Sequence, residues 1–200
     1  MRNPNPIVKR LAAVLTALVV AFAMVSTAAR ETEPVVLMGA LAHATTAMEE
    51  TMGGKVLEIR LADEKGEPVF EAALKKGQEV IYVRIASSDE DVIQIKASEL
   101  PSWLASYKLE PYMRSIDKAE LPLVEAIGRA EQRSAAPAIG AGLAKPLSGS
   151  NAVLAYYVET IKGSKRNLLA LDAKNGTFIE NPTEVYEAHT PVKLARRLAP

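Results

Sequence analysis

The chain has two histidines, His43 in LAHATTAMEE and His189 in EAHTPVK. Any imidazole-based metal site or triad must use one or both. A zinc-binding helix carries two histidines four residues apart with a glutamate as base, and His43 has no such companion. The run Ser87-Ser88-Asp89-Glu90-Asp91 offers carboxylate oxygens to a hard cation. A calcium loop, however, alternates its ligands, turns on a central glycine and closes on a distal glutamate. This run does none of these and reads as a solvated acidic turn. GAGLAKPLSGSN is glycine-bearing, but a phosphate loop needs Ser or Thr after its lysine, and here proline follows. It reads as strand and hairpin. No Gly-x-Ser-x-Gly nucleophile turn occurs. The expectation is a protein without catalytic residues, cofactor or metal.

What is patterned is charge laid over apolar alternation. In GGKVLEIRLADEKGEPVFEAALKKGQEVIYVRI, Leu57, Ile59 and Leu61 alternate with Glu58 and Arg60. Phe70, Ala72 and Leu74 share one face of the next run, and Ile81, Val83 and Ile85 one face of the third. Each run has the two-residue period of a half-buried strand, and the polar connections ADEKGEP and KKGQE suit hairpin turns. A fourth run, Val92 to Ile95, follows. The opposite faces carry Glu58, Arg60, Glu71, Tyr82 and Arg84, which predicts a mixed, exposed surface. Ahead of the strands, Leu37, Leu41, Ala44, Met48 and Met52 recur at helical spacing before Gly53-Gly54 ends the helix.

The same order returns later. LPLVEAIGRAEQR places Leu121, Val124, Ile127 and Gly128 on one helix face. Strand-like runs follow at 138–144, 153–161, 165–172 and 177–180, separated by GSN, KGSK and KNG. The Asn175-Gly176 turn predicts a left-handed Gly176. The recurrence points to internal duplication, with sheet cores at Leu57, Ile59, Phe70, Leu74, Ile81, Val83 and Ile85 in one half. In the other they are Leu169, Leu171, Ile179 and alternate residues of 153–161. Between the halves, Ser98 to Pro122 holds Trp103, Tyr107, Tyr112 and Met113. It is either a packed connector or an interface, because Trp and Tyr anchor interfaces disproportionately.

The 200 residues are 48% hydrophobic, with acids and bases balanced, which suits small globular domains. Residues 1–29 have the three parts of a secretory signal. Arg2, Lys9 and Arg10 precede an uncharged run from Leu11 to Val25, and the small residues Ser26 to Ala29 follow. The run is shorter than the roughly 20 residues of a membrane span, so cleavage is expected, with an uncleaved N-terminal anchor as the alternative. The protein is then periplasmic or secreted, without stable membrane insertion. It has no cysteine, so packing alone must stabilise it. Removing the leader leaves acids in excess, and aromatics are only 5%. Nucleic acid is an unsuitable partner on both counts. The first half is acidic and the second mildly basic. The tail, 182–200, ends in Lys193, Arg196 and Arg197, too few charges for stable membrane attachment.

A helix, GGKVLEIRL, a glycine-containing turn, PVFEAAL and a final strand pair together resemble the PepSY domain of exported bacterial proteins and metallopeptidase propeptides. In the second half LDAKNGTFI resembles that family's terminal hairpin. The first half lacks the turn glycine in IASSDEDVI, and AIGAGLAKPL departs from the family's first strand. The resemblance covers 35–97 and, more divergently, 120–181, with 98–119 as connector. It implies an α+β fold of two repeated units, each with one helix on a small antiparallel sheet. It also implies a role in binding or inhibiting a protein partner in the envelope, a peptidase or a regulator. A sensor component binding a small ligand or envelope signal is the alternative. Arg60, Glu71, Tyr82 and Arg84 on the sheet face, with Trp103 and Tyr107 in the connector, are the candidate partner-binding residues.

Overall fold

The computed structural model describes residues 38–64, 67–86, 94–99, 109–144 and 153–180. The leader, the Ser87–Asp91 run, Trp103, Tyr107 and the tail with His189 lie outside them. Among the described residues the chain forms α1 (Ala40–Met52), β1 (Lys55–Glu64), β2 (Glu67–Lys76), β3 (Glu79–Ala86) and β4 (Gln94–Glu99). It continues with α2 (Glu110–Ile116), α3 (Leu123–Ser134), β5 (Ala138–Leu143), β6 (Ala155–Lys162), β7 (Lys165–Asp172) and β8 (Phe178–Ile179).

The class is α+β with an antiparallel sheet, as expected. The expected pair of small sheets is instead one eight-stranded sheet, ordered β4-β3-β2-β1-β5-β6-β7-β8. The first strands of the two halves make the join, where Glu58, Ile59 and Arg60 face Gly142, Ala141 and Gly140. Each half contributes a helix, α1 and α3, and these pack on each other and on the central strands. Joining the sheets removes two strand edges that separate units would leave unpaired.

Register decides what each face carries. Val56, Ile59 and Leu61 lie across from Leu74, Ala72 and Phe70, which face Ile81, Val83 and Ile85. All but Leu61 are buried in the cluster with Leu41, Ala44 and Met48 of α1. The strict alternation expected through Leu57 is broken by a bulge between Val56 and Glu58. One extra residue there puts Val56 across from Leu74, and Leu57 is nevertheless fully buried. In the second half Ala141 faces Val158, and Leu143 faces Tyr156. Val158 and Tyr156 in turn face Leu169 and Leu171. A second bulge sits between Ala138 and Gly140.

The buried stripe of α3 is Leu123, Ala126, Ile127, Ala130 and Glu131, rotated from the expected Val124 and Gly128. Two alanines let the helix sit close on the sheet and on α1. The connector contains α2, whose Tyr112, Met113 and Ile116 are buried with Leu109 before it. Gly176 has φ 75, as the turn requires. Its N–H donates to the Asp172 carbonyl at 2.8 Å, and Arg129 of α3 reaches the carbonyls of Asn175 and Gly176.

Candidate functional site: a charged row across the second sheet face

Strand alternation turns Glu58, Arg60, Glu71, Tyr82 and Arg84 away from α1 and α3. Register then lines them into two rows. Arg84, Glu71 and Arg60 are neighbours across β3, β2 and β1. The row continues through Gly140 of β5 to Glu159 of β6. The second row runs Tyr82, Ala73, Glu58, Gly142 and Tyr157 over the same strands.

These residues are not the exposed surface their sequence pattern predicts. Glu71 is 1% exposed, Glu58 2% and Tyr82 5%. Glu71 is the hub. Arg60 Nη2 donates to its Oε2 at 3.0 Å, the Tyr82 hydroxyl donates to its Oε1 at 2.7 Å, and Arg84 Nε lies 3.7 Å from Oε1. A buried carboxylate is tolerated when charge and hydrogen bonds compensate its lost hydration, and Glu71 has both. The arginine side chains keep 23% and 22% of their surface. Sequence pattern finds polar residues on one face but cannot tell a solvated face from a satisfied, covered one.

The two β5 glycines shape the centre of this face. A methyl on Gly142 would stand 2.9 Å from Cβ of Glu58 and 3.0 Å from its Cα, so Glu58 occupies the space that glycine leaves. Gly140 sits between Arg60 Cβ and Glu159 Oε2, 3.6 and 3.7 Å from its virtual methyl. Farther out, Arg166 donates to Glu159 at 3.1 Å. Tyr157, Ala144 and Ala155 form a small apolar cluster there with Leu168 and Ile179. Lys75, also on this face, donates to the Met113 carbonyl at 3.2 Å and pairs with Asp117, which ties it to α2.

Two further carboxylates escaped the sequence reading. Glu131 Oε1 accepts the Ala138 N–H at 2.9 Å, and its two oxygens accept the Gly39 N–H at 3.1 and 2.9 Å. One side chain of α3 thus ties the start of β5 to the start of α1, where a negative charge suits the helix dipole. Glu49 Oε1 likewise accepts the Val56 N–H at 2.8 Å. Burial raises the Glu49 pKa, against the opposing effects of that hydrogen bond and of Lys55. The Tyr156 pKa is pushed up, first by burial and then by the charge of Glu49. The signal that could have found both ties is a glutamate seven residues before a residue at the start of a strand, once in each half.

Among the described residues no group of three or more His, Asp or Glu stands within metal-holding reach. No helix there is long and apolar enough to cross a membrane. No family model matches the chain, and no curated protein matches it. Among solved structures it is similar to a "putative lipoprotein" from Clostridium difficile 630, at 15% identity over 69% of this chain and 88% of that one. The TM-score is 0.39, too low to assign fold or function.

Proposed function

We propose that the chain is an exported, non-catalytic protein of two PepSY-like units that binds and restrains a partner protein in the cell envelope, a peptidase or an envelope regulator. The leader read in residues 1–29 supports export. Duplication is supported by one recurring separation, which relates Glu49 to Glu131, the left-handed cap residue Gly53 to Ala135, and the tied strand residue Val56 to Ala138. It also relates the two bulges. Helix, cap, carboxylate tie, bulge and meander recur in one order, which supports duplication.

A protein-binding role fits how the polar residues are used. Glu71, Arg60, Arg84 and Tyr82 bind one another, so they brace the sheet, and contact falls to its edges and outer side chains. The test is capture from an envelope extract on the immobilised mature chain, identification of the retained protein, and assay of that protein with and without the chain. A retained peptidase or regulator whose activity falls supports the reading. A saturable rise in melting temperature with a small ligand, and no retained protein, replaces it with the sensor reading.

A further inference from the structure

We propose that the outer edge of β7, from Lys165 to Leu169, takes up an extended acidic and apolar peptide segment by strand addition. The inference rests on the protein-binding reading above. β7 pairs with β6 over all eight residues, from Lys165 to Asp172. On its other side, among the described residues, β8 pairs only with Ala170 and Leu171. The outward backbone groups can be assigned. Ile161 donates its N–H to Pro137, away from β7, at 3.0 Å, and Ile161 faces Arg166. Alternation along an antiparallel ladder then turns the N–H and C=O of Arg166 and Leu168 outward. A guest strand would pair with these two residues and extend the line that β8 begins.

The side chains specify the guest. Lys165 and Arg166 are exposed, as is Lys162 across the hairpin, while Leu168 and Leu169 are half-exposed. Cations on an edge strand discourage apolar edge-to-edge aggregation while favouring an acidic guest. Acidic residues opposite Lys165 and Arg166, with apolar ones beside Leu168 and Leu169, match this edge in charge and in apolar surface. At the other end of the sheet β4 is an edge too among the described residues, and binding there is a distinct outcome.

The probe is a blocked peptide containing Val-Val-Thr-Glu-Glu, whose valines oppose Leu169 and Leu168 and whose glutamates oppose Arg166 and Lys165 in antiparallel register. It is titrated into the full chain while backbone amides are followed by NMR and hydrogen exchange. The expected result is slowed exchange at Arg166 and Leu168. Binding should weaken at least about tenfold for the same peptide with lysines in place of its glutamates and for the Lys165→Glu, Arg166→Glu variant. Both residues are exposed, and the variant's melting curve verifies its fold. No binding, changes centred on β4, or equal affinity for the two peptides would overturn the proposal. Competition separates the two claims. An envelope protein retained by the chain but not displaced by the peptide sinks the edge site and leaves the binding role. Peptide binding with no envelope protein retained does the reverse.

Discussion

Glu71 illustrates how a charged residue can be structural. Its carboxylate is 1% exposed and meets Arg60, Arg84 and Tyr82. Removing it leaves two cations and a hydroxyl facing each other in a largely dry place. Glu71→Ala should cost about 2–4 kcal/mol in urea unfolding, somewhat below the loss typical of a fully buried pair because both arginines keep some water. Arg60→Glu with Arg84→Glu would gather three carboxylates and should lower stability at least as much, so it is unsuited as a surface-binding probe. Thr160 is the opposite case. It is fully buried, and among the described residues its hydroxyl has no hydrogen-bond partner. Thr160→Val keeps the shape and removes an unsatisfied group, so stability should rise by about 1 kcal/mol. A fall measured by thermal melting would mean that the hydroxyl has a role the geometry does not reveal.

At the scale of elements, the alternating runs of β1, β2 and β3 were legible because period two is written directly into their side chains. Of the helices, α1 was legible from apolar spacing and a glycine stop and α3 from apolar spacing, whereas α2 was read only as part of the connector. Less visible were the bulges at Leu57 and Ile139, since one inserted residue flips a strand's face without changing its composition. The carboxylate ties of Glu49 and Glu131 were hidden because their partners are backbone amides, which every residue has. The covered second face was illegible for another reason. Glu71 and Tyr82 look like solvent-facing residues until register brings Arg60 and Arg84 around them. Gly142 belongs to this group: Gly142→Ala should destabilise by about 1–2 kcal/mol, because the new methyl meets the backbone and stem of Glu58. Equal stability in urea would mean that β1 and β5 can move apart at their join. Glu49 gives the fold a pH dependence of known sign. Its folded pKa lies above the ordinary glutamate value, chiefly from burial. Between the two values only the folded state holds the proton, so this contribution falls as pH rises through that window. Glu49→Gln can still accept the Val56 N–H, and should flatten the stability profile there and gain most over wild type at neutral pH. A parallel profile would remove Glu49 as its source.

At the scale of the molecule, the repeated order does not produce two independent bodies. One apolar cluster contains Leu41 and Met48 of α1, Ile59 of β1, Ile127 of α3 and Val158 of β6, and Glu131 of the second half holds Gly39 at the first helix. Shared burial of this kind makes local opening in one half expose apolar surface in the other, which couples their stabilities. The two halves join through β1 and β5 into one sheet, and we propose that this sheet unfolds as a single cooperative unit. Native-state hydrogen exchange over increasing denaturant tests this directly, by comparing the slow amides of Ala72 in β2 with those of Val158 in β6. Both are expected to converge on one opening free energy and one denaturant dependence, equal to those of global unfolding. Two distinct opening energies, with one half exchanging while the other stays protected, would contradict it.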